Sequence, residues 1–169
     1  MTLTGNMVAP DYAHRYINLV AHEDVTKALK QNAKAFLKLL KKIPGKKRNY
    51  AYAEGKWTLK ELLQHVIDAE RVFTLRALWF ARKDASPLPG FDENIWAANV
   101  NPSLRDWDDM TVEFKNLRKA TESLFKSFNK EEMQATGLAN NNPISVTAIG
   151  YMCSGHVAHH INIIKERYL

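Results

Sequence analysis

Thr58-Leu59-Lys60-Glu61-Leu62-Leu63-Gln64-His65-Val66 opens a helix and sets a histidine on its inner side. Thr58 and Glu61 stand three apart at the head of an apolar run. This is a capping box, in which the hydroxyl and the carboxylate each accept from the other residue's free backbone N–H. Helical spacing continues through Leu62, Leu63, Val66, Val72, Phe73 and Leu75 to about Arg82. Leu62, Ala69 and Val72 share a face with His65, so its imidazole is expected to turn inward.

Upstream, Val25, Leu29, Ala33, Phe36, Leu37 and Leu40 line one side of a helix expected over Glu23 to Lys42, stopped by Pro44-Gly45. Downstream, Ser86-Pro87-Leu88-Pro89-Gly90 breaks the chain, and Phe91 to Arg105 has no period. That connection, about 20 residues, is far longer than those joining neighbouring antiparallel helices. A third helix fits Asp108 to Phe128, burying Met110, Phe114, Leu117, Ala120, Leu124 and Phe125. A turn at Lys130 to Gln134 and a loop at Ala139 to Pro143 lead to a fourth helix, capped by Ser145 and running nearly to the last residue. No stretch alternates as a half-buried strand does. The expectation is an all-α fold: one four-helix bundle domain over residues 1–169, with a long crossover between the second and third helices, which do not form a simple hairpin.

With 169 residues, 46% of them hydrophobic and 25% charged, the chain has the composition of an ordered globular protein rather than a disordered one. The single cysteine, Cys153, cannot form an intramolecular disulfide, so the cytoplasm is the expected compartment. Met1 to Pro10 shows no basic segment before an apolar run, and no apolar stretch approaches the roughly 18 residues of a membrane span. Neither export nor membrane insertion is therefore expected. The net charge of +6 raises the question of nucleic acid. The densest cluster, Lys38, Lys41, Lys42, Lys46, Lys47 and Arg48, falls at a helix C-terminus, where cations complement the dipole. It reads as a solvated helix end, with no specific nucleic-acid partner.

Of six histidines, His14 and His22 precede the first expected helix and read as surface residues. On the fourth helix, taking His156 as zero, Ile149 falls at about +20°, Met152 at about −40°, His160 at about +40° and Ile163 at about −20°. His156 and His160 therefore occupy the apolar stripe, while His159, at about −60°, lies at its edge. One histidine on an apolar face is most simply a hydrogen-bonded core residue. Three inward histidines differ, because each buried imidazole without a partner costs about 1–3 kcal/mol, whereas a divalent ion takes a lone pair from all three. An i, i+4 pair joined by a histidine from a facing helix has the spacing of a chelate and leaves an open coordination position.

Cys153, at about +60°, is the other residue that could ligate, though a buried small residue is its commoner role. Asp68 could orient a ligand from outside the coordination sphere, as His159 could, or simply hydrogen-bond elsewhere. Glu70 points away from the His65 face. Arg76 returns to that face roughly 16 Å further along the helix. It could meet an anionic substrate, but an interhelical ion pair is its expected fate. Trp57, Trp79, Trp96 and Trp107 read as packing.

The run Tyr52-Ala53-Glu54-Gly55-Lys56-Trp57-Thr58 through His65 resembles the entry to the second helix of DinB/YfiT-like proteins. The run Gly155-His156-Val157-Ala158-His159-His160 through Leu169 is similar to that family's last helix. Pro87 to Glu93 and Asn142 to Ser145 read like its connecting loops. The resemblance implies a four-helix bundle with a long crossover, often a homodimer, and a metal triad of His65, His156 and His160 holding zinc, nickel or iron. It further implies a metal-dependent enzyme, with transfer involving a low-molecular-weight thiol preferred and metal-dependent hydrolysis or noncatalytic metal binding in a stress response as alternatives.

Overall fold

The computed structural model describes residues 7–169, so the reading of Met1 to Asn6 lies outside it. Its long helices are α2 (Val25–Leu40), α3 (Leu59–Ala81), α5 (Trp107–Ser127) and α7 (Val146–Ile163). Shorter ones are α1 (Asp11–Ile17), α4 (Glu93–Ala98) and α6 (Lys130–Gln134). Each long helix starts where the sequence supplies a cap. The Asp24 carboxylate accepts from the N–H groups of Thr26 and Lys27, and Asp106 does the same for Asp108 and Asp109. Thr58 and Glu61 close their box, with Glu61 Oε2 accepting from Thr58 N at 2.6 Å and Thr58 Oγ1 from Glu61 N at 3.2 Å. The Ser145 side chain accepts from Ala148 N.

Helices α2 and α3 each pack against both α5 and α7. Contacts fix the directions. Lys60 reaches the Arg105 carbonyl, Arg71 the Glu113 carboxylate and Arg118 the Glu70 carboxylate, so α3 and α5 run parallel. A parallel pair cannot be joined by a tight turn, which is why residues 82–106 form a long crossover. By contrast α7 runs antiparallel to α3, since Tyr168 Oη donates to the Trp57 carbonyl while His156 meets His65 further along.

Several local expectations fail, among them the turn at Lys130 to Gln134, which is the helix α6. The stretch after Pro89 contains α4, and residues before α2 form α1, a helix too short to show a period. Thr136–Ala139 (β1) and Asn142–Ser145 (β2) pair as an antiparallel hairpin, although no strand was expected. Its tip, Asn140-Asn141, has φ of 51° and 58°, the left-handed pair that suits a two-residue hairpin turn. Leu88 N donates to the Leu138 carbonyl and Asn140 N to the Leu88 carbonyl, tying the hairpin to the crossover. Leu75 and Ala120, expected inside, are exposed. Among the described residues, no helix is long and apolar enough to cross a membrane.

The core has two apolar regions, one around α1 and the hairpin, the other around Phe36, Leu63, Phe114 and Ile164. Between them lies a buried ion pair. Arg118 Nε and one terminal nitrogen donate to the two Glu70 carboxylate oxygens at 2.8 and 2.7 Å. The same terminal nitrogen also donates to the Cys153 carbonyl and the other one to the Leu29 carbonyl, both at 3.1 Å, and Thr121 Oγ1 donates to Glu70 at 2.7 Å. One guanidinium thus touches all four long helices.

Candidate metal centre

His65 comes from α3, and His156 and His160 from successive turns of α7. His156 Nε2 lies 2.9 Å from His65 Nε2 and 3.0 Å from His160 Nε2. All three ligand atoms fall within 4.8 Å of one another. His156 and His160 are buried and His65 is half-buried.

Burial pushes the His65 pKa down to about 4 and holds those of His156 and His160 well below the usual imidazole value, with the neighbouring imidazoles adding to the effect. At neutral pH the three rings are therefore uncharged. A single ring nitrogen holds either one proton or one in-plane lone pair, so His156 Nε2 cannot make a good hydrogen bond to both neighbours at once. What satisfies three converging lone pairs is a shared cation. Two nitrogens bound to one ion at about 2.0–2.1 Å stand roughly 3 Å apart, the separation of both pairs that include His156. The donor set thus fits one divalent ion.

The surrounding side chains hold the rings in place. Trp57 leans over His65 with centroids 4.8 Å apart. Tyr16 meets His156 and His159 edge-on at 5.5 and 5.4 Å, and Phe73 meets His156 edge-on at 5.7 Å. Tyr16 reaches this position because residue 155 is glycine. A Cβ there would lie 2.1 Å from the Tyr16 carbonyl oxygen, so only glycine lets α1 approach α7 this closely. The three histidines line one wall of an open cavity of about 420 Å³, which also has Trp57, Phe73, Phe91, Arg76 and Glu93 on its walls.

The other candidates separate clearly. His159 is half-buried on the cavity wall but is not part of the three-nitrogen group. Asp68 accepts from Gln64 at 3.0 Å and pairs with Arg71 at 3.5 Å, with no hydrogen bond to a triad ring. Cys153 is a free, buried core cysteine outside that group, and burial pushes its thiol pKa up. His14 and His22 are exposed, as expected. Glu70, away from His65, is the partner of Arg118.

Arg76 corrects the sequence reading, because among the described residues it forms no interhelical ion pair and instead donates to the Pro89 carbonyl at 2.8 Å. Trp57 is also more than general packing, since it covers a ring of the triad. Sequence reasoning missed Tyr16 and Phe91 altogether. Each reaches the cavity from a segment without helical period.

A helical bundle with three convergent, uncharged imidazoles beside an open cavity presents a donor set that could hold a metal ion. The profile of the DinB superfamily matches residues 28–164, and the chain belongs to that superfamily. A Geobacillus kaustophilus protein named "putative metal-dependent hydrolase" is 26% identical over 116 residues, which cover 66% of this chain and 64% of that relative's length. YfiT from Bacillus subtilis, described as "a probable metal-dependent hydrolase with an unusual four-helix bundle topology", aligns with a TM-score of 0.65 at 16% identity, over 94% of this chain and 87% of its own. The mycothiol-dependent maleylpyruvate isomerase aligns with a TM-score of 0.64 at 13% identity, over 80% of this chain and 57% of its own. At these identities the two structures share the fold with this chain.

Proposed function

We propose that the chain is a metal-dependent enzyme in which His65, His156 and His160 hold one zinc, nickel or iron ion, and that its reaction uses a low-molecular-weight thiol. The observation that carries this reading is the meeting of three Nε2 atoms, 2.9 and 3.0 Å apart, on the wall of a cavity large enough for a small molecule. Three neutral ligands leave the charge of a divalent ion uncompensated and at least one coordination position free. When bound, such an ion lowers the pKa of a coordinating thiol, so that a nucleophilic thiolate is available at neutral pH.

The protein's own residues prepare that site. Burial keeps the imidazoles unprotonated, so protons do not compete for their lone pairs. Trp57, Phe73 and Tyr16 fix the ring planes and narrow the access of water to them. The fold shared with a mycothiol-dependent isomerase supports the thiol reading. Hydrolysis is the second reading, favoured by the names of the Geobacillus and Bacillus proteins and by Glu93, the one carboxylate among the described lining residues, which is suited to accept a proton from water.

Cobalt(II) reconstitution tests both. Addition of N-acetylcysteine is expected to produce a near-ultraviolet sulfur-to-cobalt charge-transfer band in the wild-type protein and none in His156→Ala. Cobalt bound at one per chain with no such band, together with metal-dependent cleavage of an activated ester, would replace the thiol reading with hydrolysis. Failure to bind stoichiometric metal would reject both.

A further inference from the structure

Arg76 carries a buried charge for which the described residues supply no counterion. Its residue is 6% exposed and lines the cavity that also holds the three histidines. One terminal nitrogen donates to the Pro89 carbonyl at 2.8 Å, and the guanidinium lies over the Phe91 ring at 5.9 Å. Its Nε is buried with no hydrogen-bond partner. The ion pairs among the described residues do not include Arg76.

Arg118 in the same molecule shows the contrast. Where a buried guanidinium ties helices together, this fold surrounds it with the Glu70 carboxylate and two backbone carbonyls. Arg76 has five N–H donors like any arginine, yet makes a single hydrogen bond, to a loop carbonyl. A buried cation without a counterion is costly to maintain, and a planar fork of donors matches a carboxylate.

We propose that Arg76 is the anion-recognition residue of this cavity, and that the ligand is a small molecule with a carboxylate at the Arg76 end and an apolar middle. The aromatic walls at Phe73 and Phe91 suit the apolar part. Arg76 and His65 are separated by roughly three helical turns, or about 16 Å of rise, which the backward lean of helical side chains shortens, so an extended ligand spans the two. Contact of the ligand's far end with a metal rests on the proposed function; carboxylate binding at Arg76 does not.

Calorimetric titration of the purified protein with adipate and its neutral analogue adipamide tests the proposal. Wild-type protein is expected to bind adipate at least tenfold more tightly than adipamide. Arg76→Met should weaken adipate binding at least tenfold, and Arg76→Lys should recover part of the loss. In wild-type protein the Arg76 Nε–H resonance, assigned by its absence in Arg76→Lys, should move downfield on adipate addition as a donor without a partner gains one. This arm stands even if Arg76→Met is unstable.

Equal binding of acid and amide, equal affinity in wild type and Arg76→Met, an unmoved resonance, or no adipate binding to wild type would each overturn the proposal. Metal content measured on the same samples separates the two readings. Arg76-dependent binding in protein that takes up no metal sinks the metalloenzyme and leaves the anion site. Stoichiometric metal with Arg76-independent binding does the reverse.

Discussion

At His156 two other imidazoles approach the same nitrogen, so this residue is where loss of a ligand should matter most. His156→Ala is expected to reduce metal from about one ion per chain to a tenth of that or less, because two neutral imidazoles make a far weaker chelate. Elemental analysis of untagged protein purified without added metal checks this, with exposed His14→Ala as an unchanged control; equal metal in all samples would reject the ligand set. Asp68 makes the opposite case. Its hydrogen bonds go to Gln64 and Arg71 rather than to the triad. Asp68→Asn should therefore leave metal content within about twofold, and the roughly tenfold or greater loss typical of a disrupted ligand-orienting contact would show that it does support a ring.

Among the elements, α1 is short and held by tertiary contact. Gly155→Ala would drive a methyl into the Tyr16 carbonyl. A cost of about 1–3 kcal/mol is expected, typical of overpacking a close contact. Chemical denaturation gives the cost, and limited proteolysis should show earlier cleavage within residues 11–17. Helix α2 offers a test of pH dependence. The hydrogen bond from the Thr26 hydroxyl, followed by backbone N–H groups, holds the Asp24 carboxyl below the usual carboxylate range. A carboxyl lowered in the folded state contributes stability above its unfolded pKa and loses it as pH falls through the folded value. Asp24→Ala should therefore cost about 1 kcal/mol at neutral pH. The difference from wild type should shrink as the pH is lowered to about 3, measured by urea unfolding at both values. A gap that stays constant would mean that the charge of this cap contributes nothing.

The whole molecule is joined at Arg118, which touches all four long helices. Arg118→Met leaves Glu70 as a buried, unpaired carboxylate and is expected to cost about 3–5 kcal/mol. Removing both charges, with Glu70→Met added, should recover part of that loss because no charge is left without a partner. Urea unfolding of the single and double variants gives the comparison. A double variant as unstable as the sum of the two singles would contradict the pairing. The sequence held a trace of this arrangement, since Met110, Phe114, Arg118, Thr121 and Phe125 keep helical spacing on α5 and Glu70 keeps it on α3. A charged residue within an apolar stripe is legible as an anomaly, but its partner, 48 residues away, is not.

The sequence alone determined the number and order of the long helices, the starting caps of α3 and α7, and the inward side of His65, His156 and His160. These follow from local rules: a cap is decided within four residues, and periodicity reports which side of a helix is turned from water. Periodicity does not report what that side meets. Tertiary structure decided that α3 and α5 run parallel, that Tyr16 on α1 packs against His156, that Asn140-Asn141 turn a hairpin, and that Arg118 has a counterion while Arg76 has none among the described residues. Each depends on surfaces distant in the chain coming together, and only the packed bundle specifies which of them meet.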